Sequence, residues 1–172
     1  APTNGLVAYY AFGGNANDSS PSKAHGTTSG SVTSINDRFG NANSAYLFNG
    51  GAASVTAPNT HLPTGNASRT LAVWAKATAL DDYNCAANWG SSSTGMRFGL
   101  SLKNGTPFFT AQKDDLLSTN GAIDNKWHLL VATYDNTNNQ LTLYVDGANV
   151  ATKVYSSDLS TTGDPLVIGQ KV

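Results

Sequence analysis

Short apolar runs that alternate with polar residues, and that end in turn-forming dipeptides, limit most strongly what this chain can fold into. The stretch KWHLLVATYD (126–135) alternates Trp127, Leu129, Val131 and Thr133 with the residues between them. NQLTLYVDG (139–147) does the same with Leu141, Leu143 and Val145, then reaches Asp146–Gly147 and continues into ANVATKVY. A period of two belongs to a strand with two unlike faces, not to a helix. Asn-Gly and Asp-Gly accept the positive φ angles of a tight hairpin turn, so MRFGLSLKNGTPFFTAQ (96–112) reads as a hairpin about Asn104–Gly105. Further strands are expected in LVAYYAF (6–12), SAYLFNG (44–50), ASVTAP (53–58), RTLAVWAKA (69–77) and PLVIGQKV (165–172). About nine or ten short strands at this spacing predict an all-β fold, a two-sheet antiparallel sandwich formed as a single domain over 1–172.

Composition agrees. All 11 acidic residues are aspartate and none is glutamate, and Asn, Ser, Thr and Gly are abundant. Such a mixture favours turns and strands over helices. A formal net charge of −1 with 12% charged residues gives no basic stripe for nucleic acid. No apolar run approaches the ~18 residues of a membrane-spanning helix. The single cysteine, Cys85, allows no internal disulfide and has no basic sequence neighbour to activate it, so it reads as packing. The Asn/Ser/Thr-rich, lysine-poor surface and the start APTNGL suit a secreted protein whose leader has been removed.

The loop FGGNANDSSPSKAHG (12–26) concentrates Asn15, Asn17, Asp18, Ser19 and Ser20 where there is almost nothing to bury. Two readings stand. Asn and Asp make Asx-turns, with Asp18 solvated. Alternatively, the loop delivers the hard oxygen ligands that calcium prefers, with Asp18 as the first ligand because it carries the loop's only full negative charge.

Three stretches resemble the laminin-G-like, concanavalin A-like jelly rolls of secreted proteins: GLVAYYAFGGNANDSSPSKAHGT with DRFGNANSAYLFNG behind it, RTLAVWAKA, and KWHLLVATYDNTNNQLTLYVDGANVAT. The resemblance covers nearly the whole chain. It implies two stacked antiparallel sheets and a role in holding glycans or other surfaces. It also implies a structural calcium site in which Asp18 is joined by oxygens near Ser20, Lys23 and His25. Relatives continue past VIGQ into a last strand that closes the sheet beside the first. This chain stops at Val172, so the expectation is an open edge beside LVAYYAF that could accept another protein chain.

Catalysis finds little support. Glycan-cutting members of this sandwich class use paired glutamates, and two carboxyl groups must face one another across the scissile bond. The doublets Asp81–Asp82 and Asp114–Asp115 read as solvated loop charges, because neighbours on a strand point to opposite faces. His25, His61 and His128 have no zinc-site spacing, and WGSSSTG does not fit the G-x-S-x-G elbow. For binding, Trp74 and Trp127 sit in the motif strands and read as structural. Trp89 lies in DDYNCAANWGSSSTGMR, the least strand-like stretch of the middle of the chain. There it is either a ligand contact or a plug at one end of the sandwich. The expected glycan contacts are Trp89, Tyr83, Asp81, Asn88 and Arg97. The functional expectation is a non-catalytic carbohydrate-binding or adhesion module, secreted or on a cell surface. The alternatives are a subunit assembled through the open edge and, third, an aspartate-based hydrolase or lyase.

Overall fold

A computed structural model describes residues 3–77, 83–119 and 124–169. Its strands are β1 (Thr27–Ser29), β2 (Val32–Ile35), β3 (Ala45–Phe48), β4 (Ser54–Ala57), β5 (Arg69–Ala75), β6 (Asn84–Gly90), β7 (Arg97–Lys103), β8 (Thr106–Thr110), β9 (Leu116–Leu117), β10 (His128–Asp135), β11 (Gln140–Val145), β12 (Ala148–Val154) and β13 (Leu166–Ile168). Among the described residues there is no helix, and hence none long and apolar enough to cross a membrane. Seven strands form one sheet in the order β1-β4-β13-β6-β7-β8-β9, and four form a second in the order β12-β11-β10-β5. The strands β2 and β3 make a separate two-stranded ribbon. Every pairing is antiparallel.

The two large sheets face each other across one apolar core. Phe98 and Leu100 of β7 and Phe109 of β8 come from one side; Leu130 of β10 and Leu141 and Leu143 of β11 come from the other. Each is buried essentially completely, and each stabilises the fold by roughly 1.5–3 kcal/mol relative to exposure. The alternation in the sequence places them: on β7, Phe98, Leu100 and Leu102 point inward and the residues between them point outward. The expected hairpins form. Asn104 and Gly105 take φ of 49° and 75°, and Asp146 and Gly147 take 50° and 85°, as a right-twisted hairpin requires.

Three expectations need correction. The segment 6–12 is not a strand: only Tyr10 makes an isolated bridge, to Asp18, and the Tyr9 amide is taken by the Asp18 carboxylate instead of a sheet neighbour. The stretch 84–90, expected to be a loop, is β6, near the middle of the larger sheet between β13 and β7. The polar stretches of β1 and β2, and the two-residue β9, were not expected as strands; β1 is exposed throughout and carries no apolar alternation. Residues 170–172, expected to extend the last strand, lie outside the described residues.

Candidate functional site: a groove across five strands

Because the core claims one face of the larger sheet, the other face presents a fixed set of side chains. Thr56 of β4 lies opposite Val167 of β13, Val167 opposite Asn88 of β6, Asn88 opposite Gly99 of β7, and Gly99 opposite Thr110 of β8. These five residues form one row across the sheet, and at the usual strand spacing it runs for ~19 Å. Thr56, Val167, Asn88 and Thr110 of this row line a groove of about 800 Å³. The floor is flat for a specific reason. A Cβ at Gly99 would come within 2.9 Å of both Asn88 Cβ and Thr110 Cγ2, so any larger residue would push its neighbours apart.

On one side of the row, Ser101 pairs with Phe108, and Tyr83 meets the Phe108 ring edge-on at 5.7 Å between centroids. The Lys103 ammonium lies 5.0 Å from the Tyr83 ring centre. On the other side, Arg97 pairs with Gly90, and its Nη2 donates to Ser92 Oγ at 2.9 Å. Gly90 has a φ of +93°, and a Cβ there would fall 2.1 Å from the Met96 carbonyl oxygen, so only glycine lets the Ser91–Gly95 turn fold back so closely. Lys113, Asp115 and Asp164 complete the rim. Asp115 accepts from the Ala111 amide at 3.1 Å, and Asp164 accepts from the Thr162 hydroxyl at 2.6 Å. Gln112 and Lys113 have φ of 61° and 70°, a left-handed pair of non-glycine residues held at the rim. Backbone in this region is costly and is retained where the surroundings fix it. Cys85, opposite Ser101 in the strand register, accepts from the Asn88 amide at 2.9 Å, and burial pushes its thiol pKa up.

Of the expected contacts, Tyr83, Asn88 and Arg97 come together in this groove. Asp81 lies outside the described residues. Trp89 does not join them. It is 3% exposed on the inward face of β6, 5.0 Å from Phe98, and its Nε1 donates to the Pro63 carbonyl at 2.9 Å. Trp89 is thus packed in the core, away from the groove. Trp74, expected to be structural, is instead 41% exposed, with the Arg38 guanidinium 4.4 Å from its ring centre, and Trp127 is half-buried. Ser101, Phe108 and Thr110 were missed. The hairpin pattern held the signal, since once Phe98, Leu100 and Leu102 are assigned inward, Arg97, Gly99 and Ser101 must face outward.

The loop 12–26 brings Asp18, Ser20, Lys23 and His25 together, but their polar atoms satisfy one another. Asp18, 1% exposed, accepts from the Tyr9 and Ser20 amides at 2.9 and 2.8 Å through Oδ1, and from the Ser20 hydroxyl and the Ala24 amide at 2.8 and 3.0 Å through Oδ2. The Asp18 amide donates to His25 Nδ1 at 3.1 Å, and the Lys23 amide donates to the Ser20 carbonyl at 3.4 Å. Asp18 is therefore not solvated, as the Asx-turn reading supposed. Nor do these residues, as folded, fit a calcium ion, which would have to displace donors from both carboxylate oxygens. Burial alone would raise the Asp18 pKa, but the four donors outweigh it and hold the carboxyl below the usual range. The doublet Asp114–Asp115 is not freely solvated either: Asp114 pairs with Lys153 at 2.5 Å.

A second, apolar cleft of about 1600 Å³ opens between the segment from Asn4 to Phe12, the β2–β3 ribbon and β5. Leu71, Val73 and Ala75 of β5 turn toward it, only partly buried. Among the described residues, no strand pairs with the free side of β5.

Residues 49–172 match the family model described as the concanavalin A-like lectin/glucanases superfamily. Among solved structures, the chain is similar to domain 4 of AbnA, a GH43 extracellular arabinanase from Geobacillus stearothermophilus, in complex with arabinotriose. That match has a TM-score of 0.73 and 16% identity, over 96% of this chain and 84% of that one. The binding domain of Paraclostridial Mosquitocidal Protein 1 matches with a TM-score of 0.70 and 14% identity, over 91% of this chain and 42% of that one. The receptor-binding domain of botulinum neurotoxin D matches with a TM-score of 0.67 and 16% identity, over 89% of this chain and 41% of that one. The chain thus spans about two fifths of each toxin domain. At these identities the likeness is one of fold. No curated protein sequence matches the chain.

Proposed function

The chain belongs to the concanavalin A-like lectin/glucanase superfamily, and from that premise we propose that its five-strand groove binds carbohydrate without cutting it. The observation that carries the reading is the floor itself. One face of the sheet gathers an aromatic pair, an amide, hydroxyls and a guanidinium in one groove. Aromatic faces take the apolar side of a sugar ring, and amides and charges hold its hydroxyls. Phe108 fixes Tyr83 edge-on, so that ring is positioned before any ligand arrives. The AbnA domain, crystallised with arabinotriose, offers a parallel on the same fold. A chain with no glutamate lacks the usual paired machinery for glycoside cleavage, which supports a non-catalytic role. An extracellular or cell-surface location suits a module that holds glycans.

The test is a glycan screen by calorimetry with the wild type and with Tyr83→Ala and Asn88→Ala. The expected result is saturable binding by the wild type, weakened at least tenfold in both variants while their melting temperatures stay within a few degrees. Wild-type affinity in both variants would place binding elsewhere, and no binding to any glycan would end the carbohydrate reading.

A second reading keeps one specific observation. The free side of β5, beside an apolar cleft, is suited to receive an extended strand from another protein chain.

A further inference from the structure

At one end of the groove Arg97 forms no ion pair among the described residues. Arg97 uses one guanidinium nitrogen, Nη2, on Ser92, while its Nε is buried without a partner. Among the described residues, no carboxylate oxygen lies within 4.0 Å of it. The two aspartates on the rim are held by their own loops, Asp115 by the Ala111 amide and Asp164 by the Thr162 hydroxyl. Buried polar groups in native proteins are nearly always paired, so an unpaired one in a groove marks a place for a ligand atom. Ser101 lies in the same floor, 1% exposed, and its hydroxyl has no nitrogen or oxygen partner, only the Cys85 sulfur opposite it. Arg97 and Ser101 share the outward face of β7, four residues and ~13 Å apart. The floor thus offers a cationic position and a hydroxyl position, with the Tyr83–Phe108 pair beside the hydroxyl.

We propose that the groove selects a carboxylate-bearing oligosaccharide, whose acid group sits on the Arg97 guanidinium while a neighbouring sugar ring lies toward Tyr83 and Phe108. The inference rests on the carbohydrate reading above. A guanidinium presents parallel N–H donors to a planar two-oxygen acceptor, so it discriminates carboxylates by geometry as well as by charge. Lys113 adds positive charge at the rim, held there by the left-handed backbone it shares with Gln112.

Calorimetry with three sets of probes separates the sources of the acid: tetragalacturonate against its methyl ester, sialyllactose against lactose, and arabinotriose as a neutral sugar. Arg97→Gln and Arg97→Lys are compared with Lys76→Gln, a charge removed from the exposed end of the other sheet. The expected result is that the wild type prefers at least one acid over its neutral counterpart by tenfold or more. Arg97→Gln should abolish that preference, costing the acids at least tenfold more affinity than it costs the neutral sugars. Arg97→Lys should retain only part of it, which keeps the test decisive should Arg97→Gln fold poorly, and Lys76→Gln should retain all of it. Neutral sugars binding as tightly as their acids would overturn the inference and leave the carbohydrate reading standing. So would a preference that survives both Arg97 variants, or one that Lys76→Gln removes equally. Failure of every sugar to bind would remove both readings together.

Discussion

The three tryptophans show how much of a residue's role depends on the strand it lands on. Trp89 packs into the core beside Phe98, and its indole N–H shares the Pro63 carbonyl with the guanidinium of Arg69. Arg69 also donates to the carbonyls of Ala67 and Gly65, so one indole and one buried cation tie the 63–67 loop to the core. Burial lowers the Arg69 pKa to about 10, still high enough to keep it charged at neutral pH. Truncating Trp89 to alanine should cost about 3–5 kcal/mol, through the cavity and the freed carbonyl. Trp74→Ala, which removes a half-exposed ring, should cost under about 1 kcal/mol. Urea unfolding of the two variants measures the difference, and near-equal midpoints would contradict the burial described. Sequence alone inverts these two. It ranks Trp74 as structural because it sits in a strand pattern, and Trp89 as a binding candidate because its neighbours are small and polar. Those neighbours are polar because Asn88 and Arg97 line a groove on the reverse side of the same strands.

At the scale of elements, the hairpins were readable because their turns are written locally in Asn104–Gly105 and Asp146–Gly147. The strand β6 was not, since it is held between its neighbour β7 and β13, and β13 lies far along the chain. Context of this kind outweighs the weak local preference of a stretch such as NCAANWG. The 12–26 loop was legible as a special place but not in its detail, because a dense set of oxygens does not say which donors they will find. There, Asp18 binds four donors, and its lowered pKa has a consequence for stability with a definite sign. A carboxyl whose folded pKa lies below its unfolded value, ~3.9, contributes fully above that value and loses the contribution as pH falls through the folded one. Asp18→Asn should therefore lower the melting temperature at pH 7, with the gap from wild type narrowing in acid. The wild type should melt alike in calcium and in EDTA. A calcium-dependent rise in melting temperature, lost in Asp18→Asn, would show instead that the loop rearranges around a cation.

For the whole molecule, the sandwich class followed from period-two alternation and turn chemistry. The division into seven-, four- and two-stranded sheets did not, because strand order is set by crossovers such as β4-β13-β6 that leave no local trace. The free side of β5 makes assembly a property of the molecule as a whole. If strand addition there is used, light scattering should show a mass that grows with protein concentration, and Leu71→Lys, which charges the half-buried face beside the cleft, should return it to that of a monomer. A constant monomeric mass at high concentration would count against that use. The row from Thr56 to Thr110 has another reach. Its five positions come from segments more than a hundred residues apart along the polypeptide, so a guest lying along it would bridge early and late parts of the chain like a crossbar. Occupancy would then register as slower global opening, wherever along the backbone fraying begins.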